Sequence, residues 1–366
     1  MTAFKDTMRA ENPRPVDTAS VIDVSTVRRD GVVCGVNLLE GIIEIPGGLR
    51  LHHGARLETA RLGWRMTGPA AAPLVVVLGG ISGHRTVFTL DPARIGWWSE
   101  VVGPDLALPT DQLQILAFDY LGGSGETTGP SNGDWFPAVS TYDQAELLLR
   151  LLDHLGIKKL HAIVGASYGG MVAMAFAQRY RERVSRLLVV SAADRAHPMA
   201  TAWRSLQRRI VRLGLDSSRP EAGLELARAL AMTTYRSPNE FAARFSGEPH
   251  EIDGRFVFPV EEYLQARGED YARRYQPDGF LILSESIDLH RIDASQVNVP
   301  VTAIAVREDQ LVPIADMRAL CARLPQAELL EMSSIYGHDA FLKECSRLKN
   351  LFAVPLGLVS SAERAP

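Results

Sequence analysis

The fold is indicated most clearly by residues 160–180, "LHAIVGASYGGMVAMAFAQRY". This stretch begins with an apolar run of the length of a buried strand and passes through Gly165, Ser167 and Gly169 into a pattern typical of a helix. A serine in G-x-S-x-G between a strand and a helix is the arrangement of a nucleophile held on a sharp turn. Such a pentapeptide arises by chance in roughly one chain in ten of this length, so the inference depends on the strand and helix around it.

Apolar runs and helical stretches alternate on both sides of this segment. The apolar runs are residues 73–80, 113–123, 160–167, 186–193, 299–308 and 327–332, and helical patterns cover 142–157, 168–184, 313–324 and a last stretch from about 339. Residues 41–66 contain shorter β-type runs joined by Gly-Gly and His-Gly turns, which indicates a leading antiparallel pair. The alternation predicts an α/β fold with a mostly parallel sheet and helices on both of its faces.

Residues 194–296 break the alternation, because long amphipathic stretches follow one another there with no strong buried-strand run. We interpret them as a helical lid inserted into a core formed by residues 39–193 and 297–366. Residues 1–38 mix charge, proline and threonine without a clear period. We expect them to form an N-terminal extension prone to disorder.

Composition excludes several functional classes. The 366 residues carry 39 Lys and Arg against 43 Asp and Glu, without the basic excess that nucleic-acid binding requires. Cys34, Cys321 and Cys345 show neither paired nor C-x-x-C spacing, which argues against a disulfide framework and a metal site. The sequence contains no signal-peptide pattern and no run of the roughly 20 apolar residues that a membrane span needs. We expect a soluble cytoplasmic protein with no nucleic-acid or membrane partner and no metal.

A nucleophilic serine needs a histidine base and a carboxylate that orients the histidine. In an elbow fold of this kind the carboxylate and then the histidine follow the serine along the chain. His338 follows the last predicted strand, and both Glu308 and Asp309 follow the strand before it. We predict a catalytic triad of Ser167, Asp309 and His338, and favour Asp309 over Glu308 because it lies further past the strand end.

Acyl chemistry at Ser167 also requires N–H donors for the oxyanion. The N–H of Tyr168, at the start of the helix after the serine, is one predicted donor. The turn Leu78-Gly79-Gly80, after the predicted strand at 73–80, is the predicted source of the second donor, with Leu78 and Gly79 as its candidates. The alternative interpretation of this segment is a plain turn at a strand end.

Several stretches, in order, resemble the homoserine O-acyltransferases of the α/β-hydrolase superfamily from about residue 47 to 352. They are "GWWSEVVGP" (96–104), "YLGGSGETTGP" (120–130), "VGASYGGMVA" (164–173), "TTYRSPNEF" (233–241), "FPVEEYLQ" (258–265), "EDQLVP" (308–313) and "YGHDAFL" (336–342). Two departures concern the pocket wall: Tyr168 stands where the family usually has methionine, and Glu-Thr-Thr-Gly-Pro at 126–130 where it usually has Gly-Ser-Thr-Gly-Pro.

The resemblance implies a homodimeric enzyme that transfers an acyl group from acyl-CoA to the hydroxyl of homoserine through an acyl-serine, in methionine biosynthesis. Acyl-CoA is then a co-substrate, and no cofactor is expected. Serine as the acceptor and acetyl-CoA as the donor stay open. A serine esterase is the main alternative, because the same elbow and lid serve hydrolases, and a binding module without turnover is a second alternative.

The same resemblance assigns roles to residues around the lid. It implies that Arg208 binds the acceptor carboxylate and Asp339 the acceptor ammonium, with Tyr235 as a candidate for a pocket hydrogen bond. Arg204 lies four residues before Arg208 and so on the same helix face, and members that use succinyl-CoA resemble this chain there. We therefore expect Arg204 to read the distal carboxylate of a succinyl group and favour succinyl-CoA over acetyl-CoA. The alternatives are a solvated helix face for the arginines and a helix cap for Asp339.

Overall fold

The computed structural model describes residues 37–89, 95–123, 125–131 and 135–358, together with the backbone of 19–22, 27–29 and 32–34. Its strands are, in chain order, β1 (Ala19–Ile22), β2 (Val27–Arg29), β3 (Val32–Cys34), β4 (Leu38–Glu44), β5 (Leu49–Arg50), β6 (Arg56–Leu57), β7 (Arg61–Thr67), β8 (Leu74–Leu78), β9 (Gln114–Phe118), β10 (Ala162–Ala166), β11 (Leu187–Val190), β12 (His250–Ile252), β13 (Arg255–Val257), β14 (Val301–Val306) and β15 (Ala327–Met332).

The α-helices are α1 (Thr141–His154), α2 (Tyr168–Arg179), α3 (Pro198–Asp216), α4 (Pro220–Tyr235), α5 (Pro238–Arg244), α6 (Pro259–Ala272), α7 (Pro277–Leu289), α8 (Ile314–Cys321), α9 (Ala340–Lys343) and α10 (Cys345–Leu356). Short 3₁₀ helices cover Arg181–Arg183, Ala294–Gln296 and Gly337–Asp339. The sequence predicted one final helix from about residue 339, whereas the structure has a 3₁₀ turn followed by two helices there.

One large sheet, with the strand order β1-β4-β7-β9-β8-β10-β11-β14-β15, forms the centre of the molecule. The strands from β1 to β9 in this order pair antiparallel, and those from β9 to β15 pair parallel. The predicted mostly parallel sheet with a leading antiparallel pair is therefore confirmed. The backbone of β1, within the predicted extension, pairs with β4, while the prediction of disorder falls largely on residues outside the described part of the chain.

Both faces of the sheet are buried. Along β8, Val76 and Leu78 pack into the core formed with α1 and α2, whereas Val75 and Val77 pack on the opposite face with Trp98 and the residues of α10. Side chains of successive strand residues point to opposite faces, so a continuous apolar run such as β8 requires cover on both sides. The prediction of helices on both faces is confirmed.

The segment between β11 and β14, which includes the predicted lid of residues 194–296, contains helices α3 to α7. Helix α3 packs against α4 and α7, and α4 packs against α6. The hairpin of β12 and β13 was not predicted, because its residues are mostly exposed and lack an apolar alternation. Residues of this segment and residues that follow β10, β14 and β15 line one cavity, which holds the site.

Candidate active site

Ser167 lies on a strained turn between β10 and α2, with φ 54° and ψ −122°. A Cβ atom on Gly165 would overlap the backbone of Gly169, and one on Gly169 would overlap the carbonyl of Leu78. The two glycines are therefore needed for the close approach of strand, turn and helix. A non-glycine residue with positive φ is uncommon and is typical of sites where strain positions a functional side chain.

The structure brings the three predicted triad residues into one hydrogen-bonded line. His338 Nε2 lies 2.9 Å from Ser167 Oγ, and His338 Nδ1 lies 2.7 Å from Asp309 Oδ2. Asp309 Oδ1 accepts hydrogen bonds from the backbone N–H groups of Leu311 at 2.9 Å and Val312 at 3.0 Å. These bonds fix the carboxylate, which in turn fixes the imidazole ring toward the serine.

Glu308, the alternative acid, points elsewhere. Its Oε2 accepts a hydrogen bond from the Ser334 N–H at 2.7 Å, in the loop after β15. The carboxylate therefore ties the loop that follows β15 to the end of β14. Of the two acidic candidates, the structure brings Asp309 and not Glu308 to the histidine.

His338 is buried, and two opposing effects act on its pKa. Burial, the largest single effect, lowers the pKa because it disfavours the charged imidazolium. The charge of Asp309 and its hydrogen bond raise the pKa, as does the charge of Asp339, while Arg204 lowers it. Together the carboxylates prevail, so the pKa of His338 lies above its ordinary value of 6.5. A base of this kind accepts a proton from serine and keeps it beside a carboxylate.

Ser167 and His338 open into a cavity of about 270 Å³ beneath the lid. Its wall combines apolar and aromatic side chains with charged ones. Among the described residues the arginines and aspartates that line it are Arg195, Arg204, Arg228, Arg274, Asp316 and Asp339. Cations outnumber carboxylates in this set, so the cavity suits an anionic ligand.

The two lid arginines predicted from sequence share one carboxylate. Arg204 donates to Asp288 Oδ1 through Nε at 2.8 Å and Nη2 at 2.6 Å, and Arg208 Nη1 donates to Asp288 Oδ2 at 2.6 Å. Arg208 also donates to the backbone and hydroxyl oxygens of Ser284. Arg204 lines the cavity, whereas Arg208 is not part of its lining. The predicted role of Arg208 as the carboxylate ligand stays a prediction, and its guanidinium already has a partner.

Arg228 of α4 is a cavity residue that the sequence analysis missed. Its guanidinium carbon lies 5.1 Å from the ring centre of Tyr235 and 4.8 Å from that of Tyr271. Within the described residues it forms no ion pair. Burial by itself lowers the pKa of Arg228, and the two tyrosines with Asp339 more than offset this, so the charge is retained. The sequence offered one signal for this residue, a lone arginine in the apolar stretch "ELARALAM" (225–232).

The remaining predicted substrate residues also lie at the cavity. Asp339 lines it, with Oδ2 2.9 Å from Nε of Arg236. Arg236 is bound in addition by Glu240 at 3.0 Å, so it does not fully neutralise Asp339. The ring centre of Tyr235 lies 6.0 Å from that of His338 and 5.1 Å from the guanidinium carbon of Arg228.

The predicted oxyanion donors are placed in part as expected. Tyr168 is the first residue of α2, directly after Ser167. Leu78 is the last residue of β8, and neither it nor Gly79 lines the cavity, whereas the next residues Gly80 and Ile81 do. Ile81 is not among the predicted donors, because the predicted turn ends at residue 80.

The described residues contain no group of three or more His, Cys, Asp or Glu side chains arranged to hold a metal. No helix in the described part of the chain is both long and apolar enough to cross a membrane.

Comparison with known proteins agrees with this geometry. A family model described as alpha/beta hydrolase fold matches residues 73–344. The chain therefore has the α/β-hydrolase fold. A homoserine O-acetyltransferase from Staphylococcus aureus has a similar solved structure, with a TM-score of 0.75, 25% identity, and coverage of 87% of this chain and 95% of that chain.

Sequence relatives narrow the family. The homoserine O-succinyltransferase of Xanthomonas campestris pv. campestris is 43% identical over 320 residues, which cover 87% of this chain and 83% of the relative. The serine O-succinyltransferase of Frateuria aurantia is 30% identical over 346 residues, covering 81% of this chain and 93% of the relative. The chain therefore belongs to the homoserine O-acyltransferase family of the α/β-hydrolase superfamily, and it is an acyltransferase. The resemblance drawn from its motifs is confirmed.

Proposed function

We propose that the enzyme transfers a succinyl group from succinyl-CoA to the hydroxyl of homoserine through an acyl-serine at Ser167. The observation that carries this proposal is one cavity that contains Ser167 and His338 together with Arg204, Arg228 and Asp339. An ester hydrolase needs only the first two groups. The charged groups match a substrate that carries a carboxylate and an ammonium and a donor that carries a further carboxylate. The names of the relatives agree with this class of substrate.

The reaction has two halves. His338 Nε2 takes the proton of Ser167, whose Oγ bonds to the thioester carbon, and the C–S bond breaks as the proton passes to the CoA sulfur. The N–H of Tyr168 and an N–H of the 79–81 segment hold the oxyanion. His338 then takes the proton of the acceptor hydroxyl, whose oxygen bonds to the acyl carbon, and the bond between that carbon and Ser167 Oγ breaks as the proton returns to Ser167. These steps need acyl-CoA as a co-substrate and no further cofactor.

We assign the acceptor carboxylate to Arg228 and the acceptor ammonium to Asp339. Arg228 is better placed than Arg208, because Arg208 is held by Asp288 and Ser284 whereas Arg228 lines the cavity without an ion-pair partner among the described residues. Tyr235 is close to both Arg228 and His338, so an amino acid whose carboxylate binds Arg228 could present its side-chain hydroxyl to the base. Acylation turns that hydroxyl into a carboxylate leaving group, which is the activation of homoserine needed for methionine biosynthesis.

Release of free thiol from acyl-CoA tests the proposal. Release from succinyl-CoA that depends on homoserine supports it. Dependence on serine would change the acceptor, and a preference for acetyl-CoA would change the donor. Thiol release that needs no acceptor would make the enzyme a hydrolase, and no release would make it a binding protein.

We also propose that the enzyme is a homodimer. Met199, Leu206 and Leu213 recur at seven-residue intervals on α3, which places them on one helix face, and they are 52%, 48% and 66% exposed. Association of this stripe with a second copy would remove apolar surface from water. Light scattering after size exclusion should give twice the chain mass, and Leu206→Asp with Leu213→Asp should give the single-chain mass.

A further inference from the structure

The side chain of Tyr168 links the nucleophile turn to the lid. It is fully buried, and its hydroxyl lies 2.7 Å from Oγ of Ser286, on lid helix α7. Gln144 of α1 also contacts this hydroxyl. A buried hydroxyl is costly unless it is hydrogen-bonded, so these partners fix the position of the ring.

Tyr168 also belongs to a series of contacts that joins the two segments with oxyanion donors. Its ring packs edge-on against that of Tyr120, with 5.0 Å between the ring centres. The Tyr120 hydroxyl donates to the carbonyl of Gly79 at 2.8 Å, and the Gly169 N–H donates to the same carbonyl at 2.8 Å. The 79–81 segment and the start of α2 are therefore held relative to each other by buried tyrosines and shared hydrogen bonds.

Helix α7 also binds Arg204, which lines the cavity. Asp288 binds Arg204 and Arg208, two residues along the helix from Ser286. A helix is a rigid element on this scale, so the position of Asp288 and that of Ser286 are coupled. Through Ser286, the helix that binds Arg204 and Arg208 also binds the side chain of Tyr168, the residue that presents an oxyanion donor.

We propose that Tyr168 is a positioning residue for oxyanion stabilisation, whose hydroxyl, bound to Ser286, sets its own backbone N–H relative to lid helix α7. This inference rests on the proposed acyl-serine chemistry at Ser167. Oxyanion donors act at short range, so a small displacement of the N–H weakens the transition state more than it weakens substrate binding. The link departs from the usual family pattern, because the methionine usual at this position has no hydroxyl.

Steady-state kinetics of Tyr168→Phe, Ser286→Ala and the double variant test the proposal. We expect kcat to fall about tenfold in each single variant, less than the roughly hundredfold or greater loss on removing an oxyanion donor, with KM for acyl-CoA unchanged. The double variant should lose no more than either single variant, because both changes remove the same hydrogen bond. Tyr180→Phe is the matched control, since it removes a tyrosine hydroxyl bound to Glu146 at the far end of α2, and its kcat should equal that of the wild type.

The burst of p-nitrophenol from p-nitrophenyl acetate separates this inference from the proposed function, because acylation of Ser167 by this ester needs neither acyl-CoA nor homoserine. An equal fall in the burst rate constant in both single variants supports the role of Tyr168 even if the wild type acylates no amino acid. Burst rate constants within twofold of wild type, or losses that multiply in the double variant, would overturn it. A wild-type enzyme without a burst would overturn the acyl-serine chemistry and the inference with it. If Tyr168→Phe does not fold, Ser286→Ala decides the question by the same criteria.

Discussion

Two carboxylates organise this site in different ways. Asp309, after β14, accepts two backbone hydrogen bonds and holds one histidine, whose charge can change. Asp288, on lid helix α7, holds two arginines, whose charges cannot change. At the sheet edge the carboxylate therefore supports a proton that moves between groups. In the lid, Asp288 neutralises only one of its two arginines, so a permanent positive charge remains.

The two regions therefore have different functions. The core supplies the reaction, because its charges appear and disappear with the proton on His338. The lid supplies recognition, because Arg204 and Arg208 exceed Asp288 by one charge and Arg228 has no ion pair within the described residues. Substitutions of the catalytic residues in the core should therefore change kcat, whereas substitutions of the lid arginines should change KM.

The largest effect is expected from Ser167→Ala. Without the nucleophile no acyl-enzyme forms, and kcat should fall by roughly a millionfold. Mass spectrometry after mixing with acyl-CoA should show an adduct on Ser167 of the wild type and none on the variant, whose circular dichroism should be unchanged. An adduct on another residue would show that Ser167 is not the nucleophile, and the comparison between core and lid would no longer apply.

Asp309→Asn should reduce kcat by about 10³- to 10⁴-fold, because an amide no longer holds the imidazole in the tautomer that accepts the serine proton. Glu308→Gln is the matched control in the adjacent position and should have little effect on kcat, since its carboxylate binds the loop at Ser334. Steady-state rates of both variants at saturating substrates give the comparison. The reverse result would transfer the role to Glu308.

The core residues were predictable from sequence for a geometric reason. Parallel strands end at the same edge of the sheet, so residues that follow β10, β14 and β15 meet there regardless of their separation in the chain. Ser167 directly follows β10, Asp309 lies three residues past the end of β14, and His338 lies six residues past the end of β15. The exact second oxyanion donor was less predictable, because moving the end of β8 by one or two residues changes which N–H faces the cavity.

The lid residues were less predictable because helix packing has no such common edge. Periodicity placed Arg204 and Arg208 on one face of α3, but it could not show that Asp288, 80 residues beyond Arg208, would lie opposite them. Arg228 was missed because its neighbours include Tyr271 of another helix. The tie from Tyr168 to Ser286 likewise joins positions 118 residues apart.

Arg228→Gln should raise KM for homoserine by about 10- to 150-fold, the equivalent of one charged hydrogen bond, and leave KM for succinyl-CoA nearly unchanged. Arg208→Gln is the comparison variant, and its effect on KM for homoserine should be smaller because Asp288 already binds Arg208. Initial rates over a range of homoserine concentrations give both values. A larger effect from Arg208→Gln would restore the assignment made from the motif.

Arg204→Asn should raise KM for succinyl-CoA by the equivalent of about 1.5 to 3 kcal/mol and barely change KM for acetyl-CoA. We expect the lower end of this range, because Asp288 shares the charge of Arg204 in the free enzyme. Arg209→Asn, an exposed change on the same helix, is the control. An equal loss for both donors, or a wild-type preference for acetyl-CoA, would show that Arg204 does not read the acyl group.

The smallest effect is expected in the pH dependence of acylation, where the two regions meet at His338. The base must be neutral to accept the serine proton, so kcat/KM for p-nitrophenyl acetate should rise with pH through the pKa of His338 in the free enzyme. That pKa lies above its ordinary value of 6.5, so the midpoint of the rise should lie above pH 6.5. Asp339 raises this pKa and Arg204 lowers it. Asp339→Asn should therefore move the midpoint to lower pH and Arg204→Asn to higher pH, while a neutral ester keeps substrate charge out of the measurement. Shifts in the same direction would mean that Arg204 and Asp339 do not have opposite effects on the pKa of His338.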